Sequence, residues 1–215
     1  MEEKTWVVDS NAFIHFGNLA KKEFKDDFSK CLVNSQGVIH VTSGVHGEVR
    51  NVRFKVWDGR PNLLETLQEL MVTSEVSEAE IRSVASLIGE KASPQDVDLS
   101  LMILAAKYHQ DGKKVTLVTD DFKMTTTKEK AGFGFDTCPP STFLFRISED
   151  AKGQHSSRMK ALSRRIRSAE MRYAISRAAE YDVQSKLTWL VDSLLTNRPN
   201  LPSPTDEAEE KDDKE

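Results

Sequence analysis

Short apolar runs alternate along this chain with charged stretches whose apolar residues recur every three or four positions. The first run, Thr5-Trp6-Val7-Val8, ends on Asp9; its length and β-branched residues predict a buried strand. A charged amphipathic stretch from Leu19 to Val33 follows, with Phe24, Phe28 and Leu32 at helical spacing. Gly37 closes it, and Val38-Ile39-His40-Val41-Thr42 reads as a second strand. Leu63 to Met71 and Ser77 to Glu90 are expected as helices. The second opens on Ser77-Glu78-Ala79-Glu80, where serine and glutamate can satisfy each other's free N–H groups. Another helix is expected from Ser93-Pro94, where Ser93 and Asp96 also form a capping-box pattern. Val115-Thr116-Leu117-Val118 is the third strand, and Phe143-Leu144-Phe145-Arg146-Ile147 reads as a last one. Strands alternating with helices predict an α/β fold built on a parallel sheet flanked by helices.

From Ser156 to Leu195 the pattern is helical, with Met159, Leu162, Ile166, Ala169 and Tyr173 stepping by three and four. Residues 197–204 carry three prolines, which cannot continue a helix. The expected division is a sheet domain over 1–150, a helical extension over 151–197 and a disordered tail over 198–215.

Composition changes the picture in two places. A chain 38% hydrophobic and 30% charged can bury a core beneath a highly charged surface, and its longest apolar run, Leu101 to Ala106, is too short to span a membrane. The start of the chain has no basic, then apolar, leader pattern, so a cytoplasmic location is expected. Cys31 and Cys138 are far apart in sequence, which argues against a disulfide scaffold or a zinc ribbon. The net charge of -4 conceals segregation. Residues 205–215 hold seven acids and two lysines, whereas 158–177 hold seven arginines and lysines against Glu170 alone.

Candidate chemistry lies at strand ends, where open parallel sheets bind their ligands. Asp9 directly follows the first strand, Asp120 and Asp121 follow the third, and Glu48 lies soon after the second. Asp98 is three and seven residues before Leu101 and Ala105 and is expected on their inward face. Carboxylates gathered in one cleft repel one another, and a divalent cation removes that penalty. All-oxygen ligation suits Mg²⁺ or Mn²⁺. Each acid alone has a plainer reading, as a helix cap or a solvated residue, and Asp96 is assigned to capping. Phosphate-loop, dinucleotide and nucleophile-elbow motifs are missing from the sequence, and its five histidines show no ligand spacing.

The segments Val7-Val8-Asp9-Ser10-Asn11-Ala12-Phe13-Ile14, Gly47-Glu48-Val49, Asp98 to Ala106 and Val118-Thr119-Asp120-Asp121-Phe122 resemble, in that order, the motifs of PIN-domain nucleases. The resemblance covers about residues 5–147. Within the family it is nearest to the NOB-type endonucleases that mature the 3′ end of small-subunit ribosomal RNA. The four-cysteine zinc ribbon usual in those enzymes is absent here, and the basic helical segment stands in its place. The resemblance implies a PIN-like fold and a metal-dependent endoribonuclease acting in ribosomal RNA processing. Asp9, Glu48, Asp98 and Asp121 would hold Mg²⁺ or Mn²⁺, with Asp120 a further catalytic acid and Ser10, Asn11 and Thr119 in support. Arg158, Lys160, Arg164, Arg165, Arg167 and Arg172 would contact RNA or the small ribosomal subunit. A toxin-type PIN ribonuclease and a non-catalytic RNA- or ribosome-binding adaptor stay open as alternatives, as does a homodimer.

Overall fold

The computed structural model describes residues 3–20, 23–50, 52, 63–91, 93, 96–176 and 183–195. The expected disordered tail and Arg177 lie outside them. At the centre is β1 (Lys4–Val8), hydrogen-bonded in parallel to β2 (Gly37–Thr42) on one side and to β4 (Lys114–Val118) on the other. The short strands β3 (Met71–Ser74) and β5 (Asp136–Cys138) form the edges, also parallel. The five-stranded order is therefore β3-β2-β1-β4-β5. This is the expected α/β architecture and is consistent with a PIN-like fold. Val7 and Val8 are fully buried, as befits a central strand covered on both faces.

Helices α1 (Ser10–Leu19), α2 (Phe24–Asn34), α3 (Ser43–Arg50), α4 (Leu63–Leu67), α5 (Glu78–Ile88), α6 (Val97–Gln110), α7 (Phe122–Lys130) and α8 (Pro140–Glu149) fill the connections. Beyond them run α9 (Gly153–Ser176) and α10 (Val183–Leu195). Helix α6 packs on β1, β2 and β4, with α5 against it, while α2 and α8 pack together beneath α9. Phe143 of α8 meets Trp6 of β1 edge-on at 4.9 Å, and Phe16, Phe24 and Phe28 complete an aromatic cluster around it. Such edge and tilted pairs add about 0.5–1.5 kcal/mol each beyond the area they bury. Met159, Leu162 and Ile166 of α9 belong to the same continuous core, so the helical extension shares the sheet domain's interior.

Several sequence expectations need correction. The run Phe143–Ile147 is no strand: it lies within α8, where Phe143, Leu144 and Ile147 form a buried helical stripe and Pro140 sits in the first turn. A five-residue run with four apolar positions fits a strand or a buried helix equally well, and here the proline decides. The stretch from Leu63 ends as a helix at Leu67, turns once as a 3₁₀ helix, and becomes β3. The stretch read as one helix from Leu19 is divided between the end of α1 and α2. Asp96 is itself the N-cap of α6, its Oδ1 accepting from the Leu99 N–H at 2.9 Å. The reciprocal cap of Ser77 and Glu80 on α5 is present as expected.

Candidate active site

Leaving β1, the chain moves one way through β2 and β3 and later the other way through β4 and β5. The connections therefore part between the C-terminal ends of β1 and β4, which is where crevices form in such sheets. Asp9 stands there, 2% exposed. It occupies the N-cap position of α1 but makes no side-chain cap. Its carboxylate instead accepts hydrogen bonds from the Thr119 hydroxyl (2.8 Å) and the Ser10 hydroxyl (3.2 Å). Thr119 Oγ1 in turn accepts the Asp121 N–H at 3.0 Å, so one hydroxyl ties the end of β1 to the loop after β4. Burial first, then repulsion from Asp98 and Asp120, raises Asp9 to about 7 against the pull of its two hydroxyl donors.

Asp120 and Asp121 take different roles. Asp120 is buried, and its Oδ2 lies 2.8 Å from His15 Nε2, which donates from α1. Burial alone would lower His15, but the hydrogen bond and charge of Asp120 outweigh it and hold the imidazole above its ordinary value. Sequence reasoning missed His15 by treating the histidines as scattered. Its signal was that it falls four residues after Asn11, on one face of the helix that Asp9 begins. Asp121 caps α7, its Oδ1 accepting from the Lys123 N–H at 2.8 Å.

Asp98 departs from expectation. Leu101 and Ala105 are fully buried, but Asp98, between the packed Val97 and the buried Leu99, is exposed. Partial desolvation, then repulsion from Asp121, Asp96 and Glu48, raises it to about 6. With so open a side chain, the repulsion is the informative part: it places Asp98 in the field of acids from two other segments, Asp121 after β4 and Glu48 on α3, besides Asp96 at the cap of its own helix. Glu48, in the last turns of α3, is exposed and lines a cleft of about 640 Å³ with Thr42, Glu75, Asp96 and Ser100. Electrostatic coupling thus links Asp9, Asp98, Asp120 and Asp121, with Glu48 reaching the group through Asp98.

Among the described residues, no three His, Cys, Asp or Glu side chains form a ready-made metal site. The residues nonetheless fit a hard divalent cation in donor chemistry. The donors are all carboxylate oxygens, and burial followed by mutual repulsion raises two of the carboxyls to about 7 and about 6, a repulsion that a bound divalent cation would offset.

The basic residues of α9 separate into two groups. Arg158 forms a two-point ion pair with Asp27 of α2, at 2.6 Å through Nε, with His155 on the same carboxylate. Arg167 donates to Ser141 Oγ, Thr142 Oγ1 and the Leu190 carbonyl, each at 2.7 Å, and pairs with Glu170 at 3.3 Å. Glu170 is buried and accepts the Ser141 N–H at 2.9 Å, which fastens α9 to the start of α8. These two arginines join helices, and the expectation that they face RNA is corrected accordingly. Arg164, Arg165 and Arg172 are exposed, and Lys160 is half-buried with its ammonium 5.9 Å from the Phe145 ring centre. Among the described residues no helix is long and apolar enough to cross a membrane.

In comparisons with known proteins, no family model, no curated protein and no solved structure matches the chain.

Proposed function

We propose that this protein is a metal-dependent endoribonuclease, with ribosomal RNA or its precursor as the target. One observation carries the reading: mutually repelling carboxylates gather where β1 and β4 diverge, and the most buried of them, Asp9, is raised to about 7. Strongly shifted acids in the crevice of a parallel sheet point to catalysis. The PIN-like motifs and the all-parallel sheet agree with this reading.

Asp9, Glu48, Asp98 and Asp121 would hold Mg²⁺ or Mn²⁺. When bound, the cation would supply an acidified water and charge for the developing phosphate oxyanion. The chain's own residues do the rest. Thr119 and Ser10 fix the Asp9 carboxylate from two sides, so its orientation is set before any ligand arrives. Asp120 holds the His15 ring by Nε2, and that pair is positioned to accept or return a proton beside the crevice. An acidic cleft repels RNA, so binding needs cations outside it; the exposed Arg164, Arg165 and Arg172 supply them on α9.

The test is cleavage of a fluorescent single-stranded RNA, and of a precursor ribosomal RNA fragment, in Mn²⁺ or Mg²⁺. Asp9→Asn, Glu48→Gln, Asp98→Asn and Asp121→Asn should each lower the rate by about 100-fold or more while retaining the fold by circular dichroism. Full activity in all four variants, prepared free of other nucleases, would refute the proposal.

A further inference from the structure

We infer that the exposed arginine face of α9 is a docking surface for this chain's own acidic segment, residues 205–215. At about 100° per residue, Lys160, Arg164, Arg165 and Arg172 fall within an arc of about 140°. The buried residues Met159, Leu162, Ser163, Ile166, Glu170 and Ala174 occupy the opposite side of the helix. Along the axis the four cations span about 18 Å at 1.5 Å per residue. Among the described residues, Arg164, Arg165 and Arg172 have no ion-pair partner, although Arg158 and Arg167 on the flanks of the same helix are both engaged. A face of three or four uncompensated cations is thus set on a rigid support, with its edges already neutralised.

The complementary group lies on the same chain. Residues 205–215 carry seven acids and two lysines, a net charge of -5. The carboxylate cleft, of the same sign, repels them. Geometry allows the contact. The Leu190 carbonyl on α10 is hydrogen-bonded to Arg167 on α9, so the described chain ends, at Leu195, alongside the middle of α9. Nine residues lie between Leu195 and Thr205, and these ten Cα-to-Cα steps can span up to about 35 Å, enough to reach any part of the face. A tethered segment of this length acts at an effective concentration of order millimolar, so even weak charge pairing suffices to hold it.

The consequence for RNA rests on the proposed function. The segment is a polyanion on the face that RNA phosphates would use, and RNA must displace it. Tail occupancy of about 70–90% would weaken apparent RNA affinity by about 3- to 10-fold.

The docking itself is tested without RNA. A spin label on Ala208→Cys in the full chain should broaden backbone amide signals of residues 160–172 at low salt; Cys31 and Cys138 are buried and will not take the label. Broadening should vanish at about 1 M salt, where the screening length falls to about 3 Å. It should vanish too when Arg164, Arg165 and Arg172 are changed to Gln. Absence of broadening at low salt, or broadening that persists in the triple variant, overturns the inference. Changing the seven tail acids to their amides should then tighten binding of a short single-stranded RNA by about 3- to 10-fold at low salt. If the label reports docking but the chain binds no RNA with or without the tail charges, docking stands and the nucleic-acid reading fails.

Discussion

Replacing Asp9 by Asn should stabilise the metal-free protein at neutral pH while removing its activity. A carboxyl whose value rises from 3.8 to about 7 on folding binds its proton more tightly in the native state than in the unfolded chain. Between those two values the native state holds more protons, so stability falls as pH rises through the window. Below about pH 4 both states are protonated and the contribution is at its most favourable; above about 7 it has been lost. At about 1.4 kcal/mol per pH unit the full effect is about 4 kcal/mol, an upper bound because the loops can relax. Asn keeps the shape: its carbonyl oxygen can accept from Thr119, and its amide can donate to the Ser10 hydroxyl. A gain of about 1–3 kcal/mol at pH 7.5 is therefore expected, or about 2–12 °C in Tm for a domain of this size. The assay is thermal unfolding in chelator at pH 4 and pH 7.5, repeated with Mg²⁺ or Mn²⁺. Wild type should gain stability on adding the metal at pH 7.5, and Asp9→Asn should gain much less. An Asn variant no more stable than wild type at pH 7.5, or equally favoured at pH 4, would refute the reasoning.

Two further outcomes separate the arginines of α9. Arg167→Leu should cost about 3–5 kcal/mol in urea unfolding, because it leaves the buried Glu170 carboxylate without its cation; a cost below about 1 kcal/mol would contradict the packed network. Arg164→Gln with Arg165→Gln should leave stability within about 0.5 kcal/mol, weaken binding of single-stranded RNA, and flatten the log–log salt dependence by about 0.7 for each phosphate no longer neutralised. An unchanged slope would remove those two residues from any nucleic-acid surface.

What could be read in advance follows from how local its cause is. The cores of β1, β2 and β4 are runs of β-branched and large apolar residues bounded by polar ones, and the reciprocal cap of Ser77 and Glu80 needs only four residues, so these were legible. The edge strands β3 and β5, four and three residues long, hold too few positions to show a period, and their pairing is set by neighbours distant in the chain. Phe143–Ile147 is apolar enough for either a strand or a helix, and Pro140 in the first turn decides for the helix. At the site, Asp9 and the Asp120–Asp121 pair were visible because each ends a strand run. His15 was not, since its partner is 105 residues away. The arginines of α9 look alike as letters. Their angular positions on the helix divide them, and the partners Asp27 and Glu170 show which are already engaged.

The position of β1 has a consequence for how the protein is made. Its inner neighbours are strands whose registers begin at Gly37 and at Lys114, so Lys4 waits 110 residues (114 − 4) for its second partner. At about 5–20 residues per second, the ribosome takes about 5–20 s to deliver β4 after β1. During that interval β1 can pair with β2 while its other edge, including the Val7 and Val8 backbone, stays open. A nascent chain stalled before Lys114 therefore presents a half-finished parallel sheet, and chaperone occupancy should fall once β4 has emerged.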